Sequence, residues 1–280
     1  MGGHASADWQ GDQGDRWLHH IDRFEGMIGQ IGLDLVAAAR FLSGESVADI
    51  GCGGGPTTLE IARAVGPTGS ALGVDVAPQL VALATQRATN LGIGNASFVT
   101  ADAQRAQPGG APFDRLFSRF GVMFFDDSDA AFRNMRTWLK PGGQINFACW
   151  ATPEMNPWMG KAMAIIGQYV DLPPRDPAGP GPFRFADADS TKAMLERTGF
   201  SGVTYDLRKA DQPFAGADAT PAEAAEFILS SMDMAGAVAE AGEAAARDVR
   251  AKLADMFASY MRDGSIMMPG ACWFFHATAN

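Results

Sequence analysis

Apolar residues recur along this chain in two rhythms. Between residues 16 and 42 they fall every three or four positions, at Trp17, Ile21, Phe24, Ile28, Ile31, Leu35, Ala38 and Phe41, which predicts an amphipathic helix. From residue 47 onward, short apolar runs alternate with helical segments. Strands are predicted at 47–50, Ala71–Asp75, Ala96–Thr100, Asp114–Ser118 and Gln144–Trp150, and helices at 57–65, Pro78–Leu91 and Asp127–Leu139. The punctuation agrees. Gly66-Pro67-Thr68-Gly69 stops the first of these helices, Pro78 sits in the first turn of the second with Gly92 ending it, and Lys140-Pro141-Gly142-Gly143 reads as a turn. Mostly apolar strands alternating with helices indicate an α/β fold, a parallel sheet covered on both faces.

After Trp150 the rhythm changes. A helix is predicted over Pro157–Val170, a stiff Pro-rich loop over Leu172–Pro182, a helix over Thr191–Arg197 and a strand over Val203–Arg208. Residues 218–262 are Ala-rich and helical, opened by the capping box Thr220-Pro221-Ala222-Glu223, and Ala271–Ala277 reads as a last strand. The expected organisation is one sheet domain with additions. Residues 1–44 supply N-terminal lid helices behind a loose Gly/Asp/Gln-rich start. Residues 45–150, 191–214 and 266–280 form the core, and insertions 151–190 and 215–265 fold over one edge as a cap.

Composition narrows the function classes. The 280 residues are 47% hydrophobic and carry a net charge of −10, with no basic run. Phosphate-backbone recognition leans on clustered Lys and Arg, so no nucleic-acid partner is expected. Cys52, Cys149 and Cys272 are far apart and lack a CxxC spacing, which points to reduced cytosolic thiols rather than a disulfide frame or a metal site. No apolar run reaches the ~18 residues of a membrane span, and no secretory leader is visible, so a cytoplasmic protein without a membrane partner is expected. Met1-Gly2-Gly3-His4-Ala5-Ser6 fits a myristoylation pattern short enough to arise by chance. Oligomeric state leaves no mark.

The chemistry concentrates at the ends of the predicted strands, where open parallel sheets bind ligands. Val47-Ala48-Asp49-Ile50-Gly51-Cys52-Gly53-Gly54-Gly55 runs from a strand through an acidic residue into a glycine turn and then a helix N-terminus, a cradle for a nucleotide-like ligand. Asp75 ends the second strand, 24 residues after Gly51, where a carboxylate accepts from ribose hydroxyls. Asp102 ends the third, in reach of an adenine amine, and Ser118 ends the fourth. A plain tight turn and a nicotinamide site are the competing readings of the glycine run. The run lacks the G-x-G-x-x-G spacing usual for the latter.

Taken together, Val47–Gly55, Gly73–Val76, Ala101-Asp102-Ala103, Phe113–Phe125 and Leu139–Cys149 resemble the class I S-adenosylmethionine-dependent methyltransferases. The resemblance covers residues 45–150 well and the rest in outline. It implies a Rossmann-like sheet of seven strands with the last antiparallel, S-adenosyl-L-methionine as cofactor and a small-molecule methyl acceptor. It further implies that Asp49, Gly51 and Gly53 line the methionine moiety, and that Asp75 binds the ribose with Val76 beside the adenine. Asp102 and Ala103 would hold the adenine, Ser118 and Arg119 would lie near the amino acid and methyl group, and Trp17 would close over the cofactor.

The other chemistry-bearing positions have bland readings. Asp126 and Asp127 precede a helix and read as N-caps. His4 lies in the tail, and His276 reads as a satisfied core histidine. His19 and His20 flank the lid helix, and His20 or a cap residue is the candidate base if the acceptor must lose a proton. Phe120, Met123, Phe124, Phe125, Trp150, Trp158 and Phe183 are rich enough for an aromatic or apolar acceptor pocket. Arg184 could meet an anionic acceptor. Two other classes stay open at this point: a non-catalytic S-adenosylmethionine-binding regulator and a nicotinamide-dependent oxidoreductase.

Overall fold

The computed structural model describes residues 5–172, 176 and 179–280, with side chains from residue 8 onward. His4, the side chains of the Met1–Ser6 pattern and five residues of the Pro-rich loop (173–175, 177 and 178) lie outside the described residues.

Three helices open the chain: α1 (Ala5–Gln10), α2 (Asp12–His19) and α3 (Ile21–Ala39). The single helix expected over 16–42 is broken at His20, whose φ of −105° and ψ of 16° leave the helical region, and α3 ends at Arg40, which is left-handed. The apolar stripe continues across the break, so periodicity alone cannot reveal it. The alternating core follows: β1 (Ser46–Ile50), α4 (Pro56–Val65), β2 (Ser70–Asp75), α5 (Pro78–Leu91), β3 (Ala96–Thr100), β4 (Phe113–Arg119), α6 (Ser128–Arg136) and β5 (Leu139–Trp150). Asp127 is the N-cap of α6, accepting from the Ala130 N–H at 2.9 Å. Lys140–Gly143 is a correction to the reading of a separate turn. Leu139 already pairs with Phe113 and pairing resumes at Arg115 with Gln144, so these four residues bulge out of β5, with Gly142 at φ +76°.

Beyond β5 come α7 (Pro157–Ile166), α8 (Ala188–Arg197), β6 (Phe200–Pro213), α9 (Pro221–Ser231), α10 (Ala235–Glu240), α11 (Glu243–Ala258), the two-residue β7 (Met261–Arg262) and β8 (Ser265–Ala279). The capping box at Thr220 and Glu223 is formed in both directions. The last two long strands extend well past their expected ends. They form a twelve-pair antiparallel ribbon whose outer strand is largely exposed, which hides it from hydrophobic patterning.

The strand order is β3-β2-β1-β4-β5-β8-β6, with β7 paired to β8. All neighbours from β3 to β5 run parallel, and β8 is antiparallel to both β5 and β6. Thus β6 runs with the parallel strands and β8 alone against them, as the resemblance implies. This polarity decides where everything else sits. The N-terminus of α3, the segment after β5 and the helices between β6 and β8 all emerge at the carboxyl end of the parallel strands, beside the glycine turn. The core lies between sheet and helices, with Leu116, Phe117, Trp138, Phe147 and Phe275 almost fully enclosed. Among the described residues no helix is long and apolar enough to cross a membrane.

Candidate active site

A cavity of about 390 Å³ opens at the carboxyl end of the sheet. One wall is built from strand tips. After β1, Gly51 at φ +64° and Gly53 at φ +54° turn the chain sharply. The turn lies against the loop after β4, and a Cβ added to Gly51 would stand 2.6 Å from the Gly121 Cα. Gly121 is equally confined: its own Cβ would stand 2.6 Å from the Ile50 carbonyl oxygen. Ser118, fully buried, donates from Oγ to that same Ile50 oxygen at 2.7 Å and accepts from the Gly121 N–H at 3.2 Å. The two loops are therefore fastened together as one backbone platform.

Asp75 fixes the platform from the other side. Its Oδ2 accepts from the Gly53 N–H at 2.8 Å and its Oδ1 from the Ala77 N–H at 2.9 Å, joining the glycine turn to the start of α5. Burial pushes its carboxyl up and these N–H donors pull it back. Asp75 and Val76 both line the cavity. After β3, Asp102 Oδ1 accepts from the Gln104 N–H, and Asn134 of α6 donates to the carbonyls of Ala103 (2.9 Å) and Ala106 (2.8 Å). That staple holds Ala101–Gln104 along the cavity rim.

Asp49 lies behind the turn. Its Oδ2 accepts from the hydroxyls of Thr57 and Thr58, each at 2.7 Å, while its buried Oδ1 has no partner. Burial raises its pKa to about 6, against the pull of both threonines and of Arg119. Arg119 ends β4, lines the cavity, and faces Asp49 and Glu25; its Nε is enclosed without a partner, and burial lowers its pKa. An unpartnered acceptor and an unpartnered donor of opposite charge thus flank the platform.

The second wall is made of lid and cap. Trp17 of α2 stacks on Phe24 of α3 with ring centres 3.9 Å apart, Phe24 meets Phe227 of α9 edge-on, and Trp9 touches both Trp17 and Phe124. Phe120 stacks on Trp150, Trp158 lies edge-on to Trp150, and Met123, Met159, Phe214 and Met232 fill the gaps. Glu25 of α3 accepts from Arg87 of α5 at 2.7 Å, and the same Arg87 nitrogen donates to the Gly54 carbonyl at 3.0 Å. The lid is thereby tied to the glycine turn.

Residues 47–143 match the family described as "Methyltransferase domain". The ubiquinone/menaquinone biosynthesis C-methyltransferase UbiE of Pseudomonas aeruginosa is 31% identical over 185 residues, covering 58% of this chain and 68% of that protein. Its Escherichia coli counterpart is 30% identical over 176 residues with the same two coverages. The chain belongs to the class I S-adenosylmethionine-dependent methyltransferases. Solved structures repeat the fold. The YcgJ protein of Bacillus subtilis aligns over 90% of this chain and 99% of its own with a TM-score of 0.57 at 18% identity. Phosphoethanolamine N-methyltransferase 2 of Haemonchus contortus, solved with phosphomonomethylethanolamine and S-adenosylhomocysteine, aligns over 89% of this chain and 52% of its own with a TM-score of 0.53 at 17% identity.

The methyltransferase uses S-adenosylmethionine as cofactor and acts on small molecules. Its residues fit that cofactor: Arg119, which lines the cavity with its Nε enclosed and unpartnered, matches the carboxylate of a zwitterionic amino acid, and the Asp75 carboxylate at the tip of β2 matches a ribose.

Of the residues expected at the site, Trp17, Gly51, Gly53, Asp75, Val76, Asp102, Ala103 and Arg119 line the cavity. Asp49 and Ser118 stand one layer behind it and shape the platform. His20 is elsewhere. Its Nε2 lies 2.8 Å from the Ser230 hydroxyl, its ring meets Phe24 and Phe227, and burial together with His19 and Arg23 lowers its pKa. Arg184 does not face the cavity either; it donates to the Phe125 and Asp126 carbonyls and secures the loop after β4. His276 pairs through Nδ1 with Asn146 at 3.1 Å on the sheet face under α3. Glu25, Arg87 and Arg16 escape the sequence reading. Their roles depend on partners far along the chain, and only the position of Glu25 beside the apolar stripe of α3 hints at one.

Proposed function

We propose that this methyltransferase modifies a small, apolar or aromatic acceptor held against the lid and cap wall. The aromatic and methionine lining of that wall carries the reading, because such surfaces bind flat apolar molecules without demanding particular hydrogen bonds. When bound, S-adenosylmethionine supplies an electrophilic methyl carbon. The chain itself contributes placement and dryness. Asp75 holds the ribose, Asp102 and Ala103 border the adenine, and Arg119 orients the amino acid end, with Asp49 behind it facing the guanidinium. Trp17 and Phe24 close the roof, while Phe120, Phe124, Trp150 and Trp158 exclude water and align the acceptor.

No histidine, lysine or tyrosine is among the described residues lining the cavity. An acceptor whose nucleophile needs no strong base, such as an electron-rich carbon or an already ionised oxygen or sulfur, suits this lining best. The relatives named above as C-methyltransferases are in keeping with a carbon acceptor. Residues 1–44, 151–190 and 215–265 serve as lid and cap over a core built from the remainder. Three free, buried thiols at Cys52, Cys149 and Cys272 accord with a reducing, cytoplasmic setting.

The test pairs binding with transfer. Calorimetry should show S-adenosylhomocysteine binding and no NAD binding. Mass spectrometry over a panel of phenols, quinols, amines and thiols should find a single-methyl gain on apolar aromatic members. Binding without any transfer would favour the regulatory reading instead.

A further inference from the structure

The cavity wall made by lid and cap is largely apolar, and its polar members besides Arg16 are Gln13, Glu25 and Ser231. Arg16 of α2 lines the cavity on the side of α9, next to Ser231 and Met232. Its Nη1 reaches Asp233 at 3.5 Å, and its Nε is enclosed without a partner. Asp233 is largely exposed, and it stands at a left-handed position (φ +57°) just past the end of α9. Among the described residues this long contact is the guanidinium's one ion pair. The other charged groups at the cavity are differently placed, Asp126 among them in the loop after β4 that Arg184 secures. Glu25 is taken by Arg87, Asp75 by two backbone N–H groups and Asp102 by a third. Arg119 faces Asp49 and Glu25 on the strand-tip wall.

A guanidinium with an enclosed, unpartnered N–H at the edge of an apolar cavity is set up for an anion, and an exposed pair of this length contributes little of its own. Arg16 precedes Trp17, but successive helical residues are about 100° apart around the axis. While Trp17 lies over the glycine turn, Arg16 turns to the cap, where the acceptor would lie. We propose that Arg16 binds a carboxylate carried by the methyl acceptor. The substrate class is then an apolar or aromatic acid, its ring against Trp158 and Phe227 and its acid group displacing Asp233. A carboxylate is favoured over a phosphate because one guanidinium matches one negative charge, and because a carboxylate already occupies this place from outside. The proposal rests on the reading of the lid and cap wall as the acceptor side.

The experiment uses the full chain saturated with S-adenosylhomocysteine and follows quenching of cavity tryptophan fluorescence by indole-3-acetate and 2-naphthoate and by their methyl esters. The acids should bind at least tenfold more tightly than the esters. Arg16→Gln should erase that preference without changing ester binding or the calorimetric affinity for S-adenosylhomocysteine. Asp233→Asn, on the exposed side of the pair, should tighten acid binding severalfold, which a purely structural pair would not do. Esters binding as well as acids, a preference that survives Arg16→Gln, or no binding of any acid would each overturn the proposal. Failure of the unaltered chain to bind S-adenosylhomocysteine would instead count against the assignment of the cofactor site, a separate readout.

Discussion

The two walls of the cavity are built on opposite plans. The strand-tip wall is mostly backbone: glycine turns pressed against each other, their N–H and carbonyl groups spent on Asp75 and Ser118. The lid and cap wall is side chain, with rings and methionines drawn from helices distant in sequence. Backbone platforms leave no slack, because moving one loop breaks the bonds that hold the next. Ring walls have many partly redundant contacts, so losing one reshapes the space without destroying it. One wall can thus stay constant for a constant cofactor while the other adapts to an acceptor.

The contrast predicts a gradient of mutational effects. The most severe should be Gly51→Ala, which forces a side chain at φ +64° and into the Gly121 Cα. A cost of roughly 3 kcal/mol is expected, with a melting temperature lower by about 10 °C and no measurable S-adenosylhomocysteine binding by calorimetry. Survival of both properties would mean the two loops are not fastened as described. Next is Asp75→Ala, which should weaken cofactor binding about 100-fold, equivalent to ~2.7 kcal/mol, and loosen the Gly53 turn. Trp158→Ala or Phe227→Ala should fall lower. Acceptor KM should rise about tenfold, roughly 1.4 kcal/mol, with cofactor affinity unchanged. Equal damage to both affinities would erase the distinction between the walls.

Asp49 sharpens the comparison through pH. Its carboxyl, raised to about 6, is protonated more readily in the folded protein than in the unfolded chain. The stability this gives is therefore present at low pH and is lost as pH rises through about 6. By neutral pH the loss is on the order of 3 kcal/mol. Without cofactor, the stability gap between the unaltered protein and Asp49→Asn should shift in favour of the unaltered protein between pH 7 and pH 5, as followed by thermal melts. A gap that ignores pH would show that Asp49 titrates in the folded protein as it does in the unfolded chain. The smallest effect is expected at His20. Its removal should cost less than about 1 kcal/mol of stability, the net value of one hydrogen bond, and leave the shape of the pH–rate profile intact. A lost limb in that profile would restore it as a base.

How far the sequence could be read follows the same division. The strands from β1 to β5 and their helices were legible because apolar runs, glycines and prolines each act locally. Asp75, Asp102 and the glycine turn were legible because they sit at fixed offsets from strand ends. Which way a side chain turns at such an end was not. Ser118 and Asp49 stand where cofactor ligands are expected, yet each is held behind the surface by partners 68 and 8 residues away. The break at His20 and the links of Arg16 to Asp233 and Glu25 to Arg87 join separate stretches of chain. No local pattern encodes them.

The bond from Arg87 to both Glu25 and the Gly54 carbonyl bears on the order in which the molecule is assembled. Residues 17 to 25 are made before the strands they cover, yet Glu25 has no partner until Arg87 of α5 is in place and Phe24 none on the cap until Phe227 of α9 arrives. The lid helices are thus among the last elements to find their seat, and the nucleoside has until then an open trough in which to settle.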